Sequence, residues 1–258
     1  MRIVPTLVIV SALLGGVAGC RSKTPSAPAQ TDASAGRPAS TRASGAGNDD
    51  ASVEDAATSD ERRAQAALKD TSDKRPVLVC FGDSLTAGQG TNAGQSYPDF
   101  LQKDLDALGY KYRVVNQGVS GNTTKDGVAR LSDVLALKPE IAVIEFGGND
   151  GLRGLPVSET EANLDQIVRA LHGAGVKIGL AGITLPPDYG EDYIRHFDAM
   201  YSQIAKKYNV PMLPFLLKDV YGLPGMMQQL DPIHPTAKGN EQVARNVLSL
   251  VRPLLKKK

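Results

Sequence analysis

From Pro76 to the C-terminus, short apolar runs alternate with stretches whose apolar residues recur at helical spacing. The runs are Val77–Phe81, Arg113–Asn116, Ile141–Phe146, Lys177–Ala181 and Val210–Leu213. A short run that is apolar at nearly every position reads as a strand covered on both faces, as in a parallel sheet. Tyr97, Phe100, Leu101, Leu105 and Leu108 share one helical face, closed by Gly109. Val128, Leu131, Val134, Leu135 and Leu137 mark a second helix, stopped by Pro139. Leu164, Ile167, Val168 and Leu171 mark a third, and Tyr193, Phe197, Met200, Tyr201 and Ile204 a fourth. A last helix runs from about Pro235 through Val243, Val247 and Leu250. This alternation predicts an α/β fold: a doubly wound, flavodoxin-like, five-stranded parallel sheet of order 2-1-3-4-5.

Residues 1–20 differ in kind. Arg2 supplies a positive start, Ile3–Leu14 is an apolar stretch too short to span a bilayer, and Gly15–Cys20 ends in small residues and a cysteine. The pattern resembles a bacterial lipoprotein signal, with Cys20 as the acylated residue. The expected location is the cell envelope, with the membrane as partner through lipidated Cys20. Residues 21–72 read as a disordered linker, because the only large apolar residues between Arg21 and Ser72 are Val53 and Leu68. As a coil it spans about 40 Å. A helix over Asp60–Lys69 is expected to have nothing to pack on. Residues 73–258 form the globular domain.

A net charge of +1 gives no electrostatic preference for nucleic acid, and with no Trp and 5% aromatic residues there is little to stack bases on. Cys20 and Cys80 form no CxxC pair and no HExxH is present, so no metal site is expected. No cofactor is expected, and the chain reads as a monomer. Cys80 fits a core position on the first strand; His172 and His196 fall in helical patterns as surface groups.

Polar residues cluster where the strands end. Gly82-Asp83-Ser84 follows the first strand, Gly118-Val119-Ser120-Gly121-Asn122 the second and Gly147-Gly148-Asn149-Asp150 the third; Asp231-Pro232-Ile233-His234 precedes the last helix. In the expected strand order the first three loops meet at the switch between strands one and three. Ser84 is the candidate nucleophile, and a serine needs a base within reach. His234 is the candidate base. Asp231 stands where a turn can bring its carboxylate to the imidazole and fix the tautomer. The Ser84 N–H, the Gly121 N–H and the Asn149 amide make a candidate oxyanion hole. Each group alone also has a structural explanation, with Asp83-Ser84 as turn and helix cap, His234 as a helix-start residue, Asp231 and Gly121 as turn formers and Asn149 as a loop cap.

Together, Gly82-Asp83-Ser84-Leu85, Gly121, Gly147-Gly148-Asn149-Asp150 and Asp231-Pro232-Ile233-His234 resemble the four blocks of the SGNH, or GDSL, hydrolases, in order and over most of the chain from Pro76. Gly147–Gly154 and Pro211–Phe215 resemble the bacterial periplasmic branch with thioesterase, arylesterase and lysophospholipase activity. The resemblance implies catalytic Ser84, Asp231 and His234, with Ser84, Gly121 and Asn149 as oxyanion hole. It also implies a mobile loop beside the acyl groove, with Asp150, Gly151, Leu152 and Leu155 as substrate-binding residues. The lipoprotein signal, the long linker, Asn122 and Pro232 are departures from that branch. The expected activity is a serine esterase acting on a small-molecule ester. An envelope-glycan deacetylase and a non-catalytic surface lipoprotein are the alternatives. GxSxG is absent, which argues against the α/β-hydrolase elbow.

Overall fold

The computed structural model describes residues 49–70 and 72–256, with side chains from residue 55 onward. Cys20 and the lipoprotein signal lie outside the described residues. The sheet has five parallel strands in the order β2-β1-β3-β4-β5. They are β1 (Val77–Gly82), β2 (Arg113–Gly118), β3 (Ile141–Glu145), β4 (Lys177–Ala181) and β5 (Met212–Leu213). β1 and β3 are buried at every residue, as strands covered on both faces must be. Cys80 is one of them, and burial pushes its thiol pKa up.

The helices cover the two faces. α3 (Tyr97–Ala107) packs with α9 (Ala237–Val251), while α7 (Val157–Gly173) packs with α8 (Glu191–Tyr208) and α4 (Thr124–Ala129). α3 starts where Ser96 and Asp99 form a reciprocal capping box, with Pro98 in its first turn. Of the face read from the sequence it buries Tyr97, Leu101 and Leu105, with Phe100 half-buried and Leu108, just past its end, exposed. His172 and His196 are exposed, on α7 and α8. No helix among the described residues is long and apolar enough to cross a membrane.

Three expectations change. The second helix is broken into α4 and α5 (Leu131–Ala136), because Arg130 leaves the helical run to point inward. Its guanidinium donates to Asn122 Oδ1 at 2.7 Å, the Gln117 carbonyl at 3.2 Å and the Gly82 carbonyl at 3.3 Å. Burial pulls its pKa down to about 10. The fifth strand shrinks to Met212–Leu213, held between Pro211 and Pro214, which have no N–H to extend the ladder.

The largest change is α1 (Asp49–Lys69), inside the stretch expected to be a linker. It does have something to pack on. α1 lies against the edge strand β2, with Ala64 5% exposed and Ala67 packed on the core. Arg63 donates to the Gly118 carbonyl at 2.8 Å, and Gln117 Nε2 donates to the Ala64 carbonyl at 3.0 Å. A helix over an open sheet edge satisfies backbone groups that the ladder leaves free. The apolar count missed it because two alanines and polar side chains make the contact.

Candidate active site

β1 ends at Gly82, and α2 (Ser84–Ala87) begins two residues later. Asp83 caps it, its Oδ1 accepting from the Leu85 N–H at 3.0 Å. Ser84 is thereby fixed at the first position of the helix, at the mouth of the sheet. His234 comes from 150 residues away: its Nε2 lies 2.8 Å from Ser84 Oγ. Its Nδ1 lies 2.6 Å from Asp231 Oδ2. The turn between them is closed by the His234 N–H donating to the Asp231 carbonyl at 3.3 Å. The loop is tied in place by Gln228. Its backbone N–H donates to the His234 carbonyl at 3.0 Å, and its Nε2 donates to the Gln89 carbonyl, just past α2, at 2.7 Å. The His234 side chain is only 7% exposed, while Asp231 keeps 35%.

Gly121 has φ +79, a left-handed conformation in which glycine is unstrained. The Asn122 N–H donates to the Val119 carbonyl at 3.2 Å, so Val119–Asn122 is a β-turn with Gly121 at its third position. Asn149 sits in the first turn of α6 (Gly148–Leu152). Its Nδ2 donates to the Asn122 carbonyl at 3.0 Å and to Asp83 Oδ2 at 3.2 Å. Gly147, before α6, has φ +116, and a Cβ there would stand 2.3 Å from the Tyr201 hydroxyl. That hydroxyl donates to the Phe146 carbonyl at 2.8 Å.

Ser84, Gly121, Asn149, Asp231 and His234 therefore meet at one cavity of about 480 Å³. Its remaining wall is largely apolar: Leu152, Ile183, Leu185, Pro186, Pro187, Phe215, Leu217, Tyr221 and Ile233. Of the residues assigned to substrate from sequence, Leu152 lines the cavity and the others do not. Asp150 is 2% exposed, and its carboxylate accepts from the Thr124 N–H at 2.9 Å and the Thr124 hydroxyl at 2.5 Å. Its work is to join α6 to α4. Gly151 is buried against Leu185 and Phe197. The Leu155 carbonyl accepts from the Tyr193 hydroxyl at 2.6 Å, which fixes that end of the loop away from the cavity. Met226 and Met227 pack on the core and line no part of it. The walls missed from sequence follow β4 and β5. Their signal was present: Ile183–Pro187 and Phe215–Leu217 are apolar stretches at strand ends that open on the same edge.

Beneath the site lie two buried carboxyl groups. Glu145, at the end of β3, accepts from Thr86 Oγ1 at 2.8 Å and from the Asp83 N–H at 3.4 Å. Burial pushes the Asp83 pKa well above the usual carboxylate range, and the neighbouring Glu145 charge adds to it. Burial also raises Glu145. Two such groups in one dry place hold a proton to higher pH than exposed carboxyls do. The folded chain then binds more protons than the unfolded chain between the ordinary pKa near 4 and the raised values, so this pair's contribution to stability falls as pH rises through that window. Glu145→Gln removes one of the two charges. Thermal unfolding from pH 5 to 8 is expected to show the Tm of the wild type falling relative to the variant as pH rises. A tenfold difference in proton affinity between the folded and unfolded chain corresponds to about 1.4 kcal/mol, or roughly 3–6 °C for a domain of this size. A Tm difference that is constant over this range would remove the pair from the pH dependence.

The geometry has counterparts in known proteins. Residues 80–242 match the GDSL-like lipase/acylhydrolase family. The chain is 42% identical over 180 residues to esterase TesA of Pseudomonas aeruginosa, covering 69% of this chain and 89% of that one. It is 38% identical over 192 residues to thioesterase 1/protease 1/lysophospholipase L1 of Escherichia coli, covering 74% and 88%. The crystal structure of TesA superimposes with a TM-score of 0.66 at 41% identity, over 69% of this chain and 99% of that one. With the four blocks gathered on one cavity and the match running through all of them, the chain belongs to the GDSL-like lipase/acylhydrolase family.

Proposed function

We propose that the chain is a serine esterase acting through an acyl-enzyme on carboxylic esters with medium-length acyl chains, aryl esters and lysophospholipids among them, and that it extends to thioesters. The observation that carries the mechanism is the hydrogen-bonded line from Ser84 Oγ through His234 to Asp231, at 2.8 and 2.6 Å. Ser84 Oγ attacks the ester carbonyl as His234 Nε2 takes its proton. Asp231 holds the His234 Nδ1–H and stabilises the imidazolium. The oxyanion is met by the Ser84 and Gly121 N–H groups and by Asn149, which gives up its longer contact, to Asp83 at 3.2 Å, for the substrate oxygen. His234 returns the proton to the leaving alcohol, and water then releases the acid by the same steps in reverse.

A fluorophosphonate is expected to label Ser84 in stoichiometric amount and abolish hydrolysis of p-nitrophenyl esters. Ser84→Ala is expected to lose about 10⁴-fold or more of kcat. Full activity in Ser84→Ala, measured on purified protein, would end this mechanism.

The apolar wall supports a preference for acyl chains longer than acetyl. Each buried methylene contributes about 0.8 kcal/mol, up to about 1–3 kcal/mol at a tight contact. On p-nitrophenyl esters, kcat/KM is expected to rise from acetyl to hexanoyl and octanoyl. Leu152→Ala flattens that rise, and Leu155→Ala, outside the wall, leaves it unchanged. Acetyl esters or acetylated glycans turned over faster than octanoyl esters would replace this reading with the deacetylase one.

The location follows from residues 1–20: an export signal ending at Cys20, acylated there, holding the enzyme at an envelope membrane. An acyl anchor of two or more chains gives stable attachment. Mass spectrometry of the mature N-terminus is expected to find diacylglyceryl-modified Cys20, and Cys20→Ser to release the protein from the membrane fraction. An unmodified Cys20 would refute the anchor.

A further inference from the structure

The family match begins at residue 80, so α1 is an addition to the part that the match accounts for. One face of α1 reaches the loop that carries Gly121. Asp60 is 8% exposed, a buried charge on a helix that is otherwise mostly polar. Its Oδ2 accepts two hydrogen bonds from Ser120: from the N–H at 3.0 Å and from Oγ at 2.7 Å. Its Oδ1 accepts from Arg63 Nη1 at 2.9 Å, and Arg63 Nη2 in turn donates to the Gly118 carbonyl at 2.8 Å. A buried carboxylate is costly to hold unless it is paired and hydrogen-bonded, and this one is both.

We propose that Asp60 is a positioning residue for the oxyanion hole, acting through Ser120 to aim the Gly121 N–H. The inference rests on the esterase reading, in which that N–H meets the oxyanion. Ser120 and Gly121 are the two central residues of the Val119–Asn122 turn. Holding Ser120 at both its N–H and its hydroxyl fixes the residue whose ψ rotation would swing the next peptide, and that peptide bears the Gly121 N–H. The other side of Gly121 is fixed independently: Arg153 Nη2 donates to the Gly121 carbonyl at 3.0 Å, and Asn149 Nδ2 to the Asn122 carbonyl at 3.0 Å. The turn is thus clamped between α1 on one side and α6 with the residue after it on the other. Donors preorganised toward developing charge need no reorganisation during the reaction, so loosening one clamp is felt at the transition state more than in the bound ester.

Ala64 and Ala67 are packed apolar groups of α1, and its other contacts are polar, among them Gln117 Nε2 to the Ala64 carbonyl at 3.0 Å and Gln65 Nε2 to Asp133 Oδ2 at 3.0 Å. Most of a helix's stability in a protein comes from tertiary contacts rather than from propensity. Its docking and the aim of the Gly121 N–H are linked: the Asp60 and Arg63 contacts that help seat the helix also brace the turn.

The test is Asp60→Ala in the full chain, with kcat and KM measured on p-nitrophenyl hexanoate. The expected result is a kcat lower by about 10- to 100-fold, below the roughly 10²–10³ of losing a donor outright, with KM within about twofold. A trifluoromethyl ketone, which forms a tetrahedral adduct on serine, should bind more weakly by the same factor as kcat falls. Asp60→Asn keeps an oxygen for the Ser120 N–H but loses the charge that strengthens its bonds to Ser120 and Arg63, so it is expected to lose a smaller factor, about 3- to 10-fold in kcat. Neither substitution touches the sheet or its packed faces, and Tm verifies the fold. A folded Asp60→Ala with kcat within about twofold of wild type overturns the proposal, as does a loss that lies wholly in KM. Asp60→Asn, which preserves the shape of the side chain, decides the matter if Asp60→Ala fails to fold: kcat and inhibitor affinity falling together in it support the proposal, and both unchanged while Tm drops overturn it. Failure of the esterase reading itself looks different, since the wild type would then neither hydrolyse the ester nor be labelled at Ser84.

Discussion

β1 is paired in parallel on both sides, and its register places Gly118, Gly82 and Glu145 side by side across three strands. The three strands therefore end at one level, and the loops that follow them leave the sheet together. Side-by-side parallel strands pointing the same way are what bring Ser84, Gly121 and Asn149 within one cavity. The fit is close: a Cβ on Gly118 would lie 2.2 Å from the Ala87 nitrogen, and one on Gly82 would lie 2.2 Å from Thr86 Oγ1. The glycines at this level let α2 sit directly on the strand ends. The opening of the doubly wound sheet at the C-terminal ends of its strands, where the order switches between β1 and β3, is the natural place for a ligand.

Around this row the polar groups bond largely to one another, while Glu145 Oε1 is buried without a partner among the described residues. Arg130 ties the Gly82 and Gln117 carbonyls to Asn122. Asp150 ties α6 to α4 through Thr124. Asp83 caps α2 with one oxygen and receives Asn149 with the other. Glu145 lies below, receiving Thr86 and the Asp83 backbone. Burying two carboxyls so close together costs stability, and the structure uses them where it needs acceptors aimed at the serine helix and the Asn149 amide. Buried carboxyls of this kind are found where function sets the arrangement. The GDSL serine esterase is thus built on a base in which burial holds both carboxyls above the usual carboxylate range.

The histidine reaches the site by a different route. No strand carries it. It arrives on a loop fastened at both ends, by Gln228 to the segment past α2 and by Thr236 to the start of α9, where Thr236 Oγ1 accepts from the Gly239 N–H at 3.2 Å. α1 is fastened likewise, through side chains and not through an apolar face. Both attachments depend on long-range hydrogen bonds between segments whose own sequences carry no periodic signal.

The sheet is legible in the amino-acid sequence alone. Unbroken apolar runs such as Ile141–Ile144 have to be buried on both faces, and helices between them have to cross over, which leaves the doubly wound arrangement. The four polar blocks are legible for the same reason, since turn residues at strand ends interrupt a strong apolar pattern. Which residues near a block face the cavity is decided only by the tertiary structure. Asp150 and Gly151 stand beside Asn149 in the chain, yet helical rotation turns them into the interior, while Leu185 and Phe215 come from remote loops to form the wall. The tertiary structure also decides the fate of residues 49–69. Hydrophobic patterning sees a helix through the apolar area it buries, and α1 is held by a carboxylate, a guanidinium and two alanines, whose partners exist only once β2 and its loop are in place.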